Sequence, residues 1–239
     1  MAQAIRQRRG LSLALVMLVF MAGFVGLGVW QVHRLAWKEA LIARVDARVH
    51  AAPVPAPGPQ GWPSITAKNS EYRRVSLSGH FEHVPATLVQ AVTDKGSGFW
   101  VLAPFTDIRG FTVLVNRGFV PDRKSGEKLA PSEQQRIIGL LRITEPGGGF
   151  LQSNQPAANR WFSRDVAAIA HARHLKTFAP YFIDQSAGES EADGPIGGLT
   201  VIRFPNNHLS YAITWFVLAA MSLIAAVWLI RERFRPTSG

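Results

Sequence analysis

The chain has 239 residues, a formal net charge of +10, 47% hydrophobic residues and no cysteine. That length leaves room for one globular domain beside membrane segments, and the missing cysteines exclude disulfides, thiolate metal sites and cysteine nucleophiles. Away from the arginine-rich ends the charge is spread among both signs, a pattern that does not select nucleic acid as a partner.

Only ten residues, with Arg6, Arg8 and Arg9 among them, precede an uncharged apolar run from Leu11 to Trp30. At about 1.5 Å per residue a run of that length spans a hydrocarbon core of about 30 Å. Val29, Trp30, Gln31 and Val32 close it where a signal peptide would carry a small-x-small cleavage site, so it reads as an uncleaved anchor. The short leader leaves no room for a mitochondrial presequence and points to a bacterial inner membrane. Ala22, Gly23 and Gly26 contain a small-xxx-small pair, which predicts close packing on the second span. Leu35, Ile42, Val45 and Val49 recur near helical spacing and predict a stalk or interfacial helix, ended by Pro53, Pro55, Pro57, Pro59 and Pro63, an extended linker.

Short β-rich runs follow, broken by glycine, proline and aspartate: Arg73–Gly79, Ala86–Val92, Gly98–Pro104, Phe111–Phe119, Arg136–Ile143 and Tyr181–Asp184. They predict an antiparallel sheet or partly closed barrel. Gly147, Gly148 and Gly149 after Pro146 open no helix and read as a turn, not a phosphate loop. Ser163 is placed to cap a helix over Arg164–Leu175, whose basic end suits the helix dipole. Ala187–Gly198 reads as a mobile loop.

A second apolar run, Tyr211 to Ile230, ends at Arg231, Arg233 and Arg235; with the basic N-terminus this places both ends in the cytoplasm and the middle outside it. The expected fold class is a membrane protein whose N- and C-terminal transmembrane helices bracket an α+β, mainly antiparallel β extracytoplasmic domain. Its expected divisions are a cytoplasmic N-terminus (1–10), helix (11–30), interfacial helix and Pro-rich linker (31–63), periplasmic domain (64–208), helix (209–230) and cytoplasmic C-terminus (231–239).

Enzyme motifs are missing, and no catalytic residue is assigned. His171 with His174, and His80 with His83 around Glu82, have ligand-like spacing but read better as a basic helix end and a solvated turn. His208 stands out. Asn207 is a good N-cap, and His208, Tyr211, Ala212, Trp215, Ala219 and Ser222 then line one face of the helix. A ligand at the watery end, aromatics beneath it and small residues deeper down would suit a flat macrocycle with an apolar tail; an ordinary interfacial belt over packing residues fits the same pattern. Arg34, Lys38 and Arg203 approach the same level and suit haem propionates or lipid phosphates alike.

Five segments together resemble the surfeit-locus cytochrome oxidase assembly family: Gly28, Trp30, Gln31, Arg34 and Lys38; Gly79 with Phe81; Val115–Pro121 (VNRGFVP); Tyr181–Gln185 (YFIDQ); and Asn206–Ala212 (NNHLSYA). The Pro-rich run and the acidic loop carry no such likeness. The resemblance implies a non-enzymatic factor that binds haem a transiently, with His208 as axial ligand, and aids its insertion into the catalytic subunit of cytochrome c oxidase. It implies that subunit, the haem a synthase and membrane lipid as partners, with Arg117 and Gly118 as partner-binding candidates. Two other classes remain: a membrane-anchored scaffold that binds no cofactor, its partner an oxidase subunit as the resemblance implies, and a periplasmic hydrolase.

Overall fold

The structure, a computed structural model, describes residues 2–127, 134–149, 151–187, 194–200 and 204–233. The chain divides into two units, Met1–Arg44 with Arg203–Gly239, and Val45–Ile202.

The first unit holds two helices long and apolar enough to cross a membrane. Helix α1 runs unbroken over Ala2–His50, its final turns lying in the second unit. The C-terminal helix, α5 of the chain, covers His208–Arg233. Large apolar side chains stand open on both, including Leu15 at 63%, Val19 at 65%, Ile224 at 68% and Trp228 at 61% exposure. Such a girdle is costly in water and neutral in lipid, so the two helices are compatible with a membrane anchor.

Beside half-buried Leu18, Leu218 and Ala225, one line of covered residues on each helix alternates steps of three and four. On α1 these are Ala14, Met17, Met21, Phe24, Gly28, Gln31, Leu35 and Lys38; on α5 they are His208, Ala212, Trp215, Ala219, Ser222 and Ala226. A 3.5-residue repeat is the seam of a left-handed helix pair. Phe24 stacks on Trp215 with centroids 5.7 Å apart, and His208 meets Gln31, which sets an antiparallel register. The expected close-approach glycines are not the ones used: a Cβ on Gly23 or Gly26 would meet nothing within 4 Å, whereas one on Gly28 would lie 2.7 Å from the Phe216 ring. Gly23 and Gly26 fall off the repeat and Gly28 falls on it.

The second unit is a seven-stranded sheet: β1 (Val54–Pro55), β2 (Arg74–Phe81), β3 (Thr87–Thr93), β4 (Gly96–Asp107), β5 (Thr112–Val120), β6 (Gln135–Ile143) and β7 (Phe178–Gln185). Short helices α2 (Ala67–Ser70), α3 (Arg123–Glu127) and α4 (Val166–Ala172) attach to it. The order β1-β2-β6-β7-β5-β4-β3, with β2 also pairing β4, closes β2, β6, β7, β5 and β4 into a barrel. Most pairings are antiparallel, but β1–β2 and β5–β7 are parallel, so the sheet is mixed. Closure needs Gly79: a Cβ there would sit 1.9 Å from the Thr106 carbonyl oxygen. Every residue of β5 is buried, since Val113 and Val115 fill the barrel beside Phe105 and Tyr181, while Leu114 meets Trp161 and Ile169 under α4. A strand covered on both faces reads as a continuous apolar run.

Two local expectations are corrected. The Pro-rich run is packed on the barrel: Val54 and Pro55 pair with Val75 and Ser76, Ala56 is 1% exposed, and Trp62 sits edge-on to Phe111. A proline needs no partner for its missing donor, and the carbonyl of Pro57 accepts from both Trp62 Nε1 at 3.0 Å and the Tyr181 hydroxyl at 2.7 Å. Helix α4 is capped by Asp165, which accepts from Ala168 N at 3.1 Å, not by Ser163. The Ser163 hydroxyl accepts from Gly148 N and Asn154 Nδ2, both at 3.0 Å, and pins the glycine turn.

Candidate functional site

His208 opens α5, and the Asn207 carbonyl accepts the first helical bond from Tyr211 N, as the N-cap position requires. The half-buried imidazole shares a 2.8 Å hydrogen bond between its Nδ1 and Gln31 Oε1. These residues are 177 positions apart. Gln31 is 8% exposed and sits on the α1 side of the seam among apolar residues and glycine from Ala14 to Leu35. Sequence reasoning missed the pairing, although both residues fall at seam positions of the same heptad phase.

The other expected site residues separate into two groups. Trp215 lies in the seam against Phe24, which in turn stacks on Phe20 at 6.0 Å. Ala212, Ala219 and Ser222 are buried at 2%, 5% and 9% exposure, and the Ser222 hydroxyl donates to the Leu218 carbonyl of its own helix. The small residues therefore lie buried on the α5 side of the helix–helix interface. Tyr211, 55% exposed, lies on the outer surface beside His208 in sequence. Lys38 Nζ stands 5.3 Å from the Phe204 ring centroid, and Arg34 covers Trp37 at 4.7 Å. Neither cation has an ion-pair partner among the described residues. Asn206 Oδ1, two residues before His208, is buried with no hydrogen-bond partner among the described residues. Arg203 lies outside the described residues.

This donor set suits a metalloporphyrin. It offers one imidazole nitrogen not tied to Gln31, a buried polar atom close in sequence, two cations held only against aromatic rings among the described residues, and apolar outer surface, without the several ligands there that a bare ion needs. The other histidine pairs do not compete: no group of three or more His, Asp or Glu forms a metal site among the described residues. Glu82 accepts from Thr106 Oγ1 at 2.5 Å and Thr112 Oγ1 at 3.1 Å, and His171 lies edge-on to Phe178 at 5.9 Å.

Arg117 and Gly118 are used inside the barrel domain. Arg117 is 8% exposed with its guanidinium 4.6 Å from the Phe81 ring. Gly118, at φ +134°, lets the carbonyl of Ile196 approach to 2.3 Å of where a Cβ would stand, and Phe119 and Ile196 exchange two backbone hydrogen bonds of 2.9 Å. Their neighbour Asn116 donates to Asp184 Oδ1 at 2.8 Å. Asp184, 4% exposed, also accepts from Arg142 at 2.7 Å, Thr200 at 2.9 Å and Arg164 at 3.4 Å. Burial alone would pull Arg142 toward neutrality; Asp184 and Glu71 outweigh it and hold the guanidinium charged. The VNRGFVP and YFIDQ segments are thus one network, joined where β5 pairs with β7 at Asn116 and Asp184.

Comparison with known proteins matches residues 18–220 to the SURF1 family model. Surfeit locus protein 1 of Rattus norvegicus is 37% identical over 90% of this chain and 73% of its own length. Surfeit locus protein 1 of Homo sapiens is 36% identical over 94% and 78%, and a SURF1-like protein of Monosiga brevicollis is 35% identical over 87% and 83%.

Proposed function

The chain belongs to the SURF1 family, and from that premise we propose that it is an assembly factor for a haem-copper cytochrome c oxidase which holds haem a as cargo on the way to the catalytic subunit. The observation that carries the reading is His208, seated at the end of a membrane helix pair with one ring nitrogen tied to Gln31 and the other left for a metal. His208 is the axial ligand to the haem iron. Tyr211 is exposed on the outer surface of the pair, where a haem held by His208 would be within reach of a recipient subunit. Trp215 stiffens the wall behind the ligand, and Lys38, Arg34 and Arg203 answer the propionates. The basic ends support a topology with both termini in the cytoplasm of a bacterial inner membrane and the central domain in the periplasm.

A scaffold that binds no cofactor is favoured by a different observation: Val92 and Leu151, 86% and 89% exposed, offer apolar contacts on the barrel domain. Complementation separates the readings. In a strain lacking the protein, His208→Ala expressed at the wild-type level is expected to leave the oxidase short of haem a. Full haem a content with that variant would refute the cargo reading and leave the scaffold.

A further inference from the structure

The geometry points to Gln31 as the positioning residue that fixes the tautomer and orientation of His208 for ligation; this rests on the reading of His208 as a haem ligand. A carboxamide inside an apolar helix seam is costly unless it is hydrogen-bonded. The group that answers Gln31 is the His208 ring, Nδ1 to Oε1 at 2.8 Å.

An amide oxygen only accepts, so the shared proton sits on Nδ1. That leaves Nε2 as the ring nitrogen that can present a lone pair to iron. The bond also holds the ring plane of a side chain on the first turn of its helix. A partner of this kind makes the imidazole a stronger donor, and its removal from metal sites typically costs about 10–100-fold in affinity. Gln31 reaches no iron itself and acts through His208.

A tie that merely joined the two helices would show the same distance, so the test needs a readout such a tie would not move. Hemin is titrated into the detergent-solubilised full chain as wild type, Gln31→Leu, Gln31→Glu and His208→Ala, with affinity, absorbance and midpoint potential of the bound haem measured. Gln31→Leu is expected to bind about 10–100-fold more weakly. Gln31→Glu, which keeps an acceptor and adds charge, is expected to restore binding and shift the potential to lower values. Wild-type affinity in Gln31→Leu, or restored binding in Gln31→Glu with an unmoved potential, would overturn the role of Gln31 while His208→Ala still loses haem. If Gln31→Leu does not fold, the potential of Gln31→Glu decides alone. Haem retained by His208→Ala would instead bring down the ligand assignment itself.

Discussion

Asp184→Asn gives the sharpest stability test of the barrel, because it keeps the side-chain shape and removes only charge and acceptor capacity. Four donors converge on a carboxylate that is 4% exposed: Arg142 at 2.7 Å, Asn116 at 2.8 Å, Thr200 at 2.9 Å and Arg164 at 3.4 Å. An amide must turn its NH2 toward one pair of these donors, leaving them unanswered. Breaking a buried ion pair costs about 3–5 kcal/mol when the surviving charge is stranded. Here Arg142 keeps Glu71 at 2.9 Å and Arg164 keeps Glu145 at 2.6 Å, so the low end applies, about 3 kcal/mol. For a unit of this size that lowers Tm by about 6–12 °C. Near-ultraviolet circular dichroism or tryptophan fluorescence of the solubilised protein follows the transition, since Trp100 lies under the Arg164 guanidinium. In a double-mutant cycle with Arg142→Gln the losses should fall short of additive by about 1 kcal/mol or more. A melt unchanged within 2 °C, about 0.5 kcal/mol, would refute the claim that the two motif segments are held through Asp184.

Three further outcomes are expected. Gly118→Ala places a Cβ against the Ile196 carbonyl at φ +134° and should cost about 2 kcal/mol, read as faster amide exchange at Phe119 and Ile196; unaltered exchange would contradict the close approach. Gly28→Ala drives a methyl into the Phe216 ring and should destabilise the helix pair by about 1–3 kcal/mol and lower haem occupancy with it, whereas Gly23→Ala should change neither. Burial pushes the Asp107 carboxyl up, but donation from the side chain and backbone of Arg109 and from Ser78 N outweighs it and holds the pKa low. Its stabilisation is therefore complete above the unfolded value of about 3.9 and is lost as pH falls below it through the lower folded value, so Asp107→Asn should flatten the acid limb of a stability–pH profile.

The strand positions were legible because alternation and turn residues are local signals. Observed β2, β3 and β5 each lie within two residues of the sequence-based bounds, and the breaks fall at Asp94–Gly96 and Asp107–Gly110 as turn chemistry dictates. Barrel closure was not legible, since it depends on a backbone contact between Gly79 and Thr106 that leaves no periodic trace. Nor was the capture of the Pro-rich run, whose extended backbone looks the same free or packed. Asp165 displaced Ser163 as the cap of α4 because Ser163 was engaged by Gly148 and Asn154, residues distant from the helix in sequence. On the membrane side, His208 was visible from its chemistry. The heptad that joins it to Gln31 was visible only when both helices were considered together, and reading one helix at a time assigned to a ligand slot Ala219 and Ser222, which lie buried in the seam.

The central claim is tested most directly by the absorbance spectrum of the full-length protein purified from a host that makes haem a. Wild type is expected to carry the Soret and α bands of bound haem a, and His208→Ala to be colourless while eluting and melting as wild type does. Bands of equal intensity in the two proteins would contradict the assignment of His208 as the ligand.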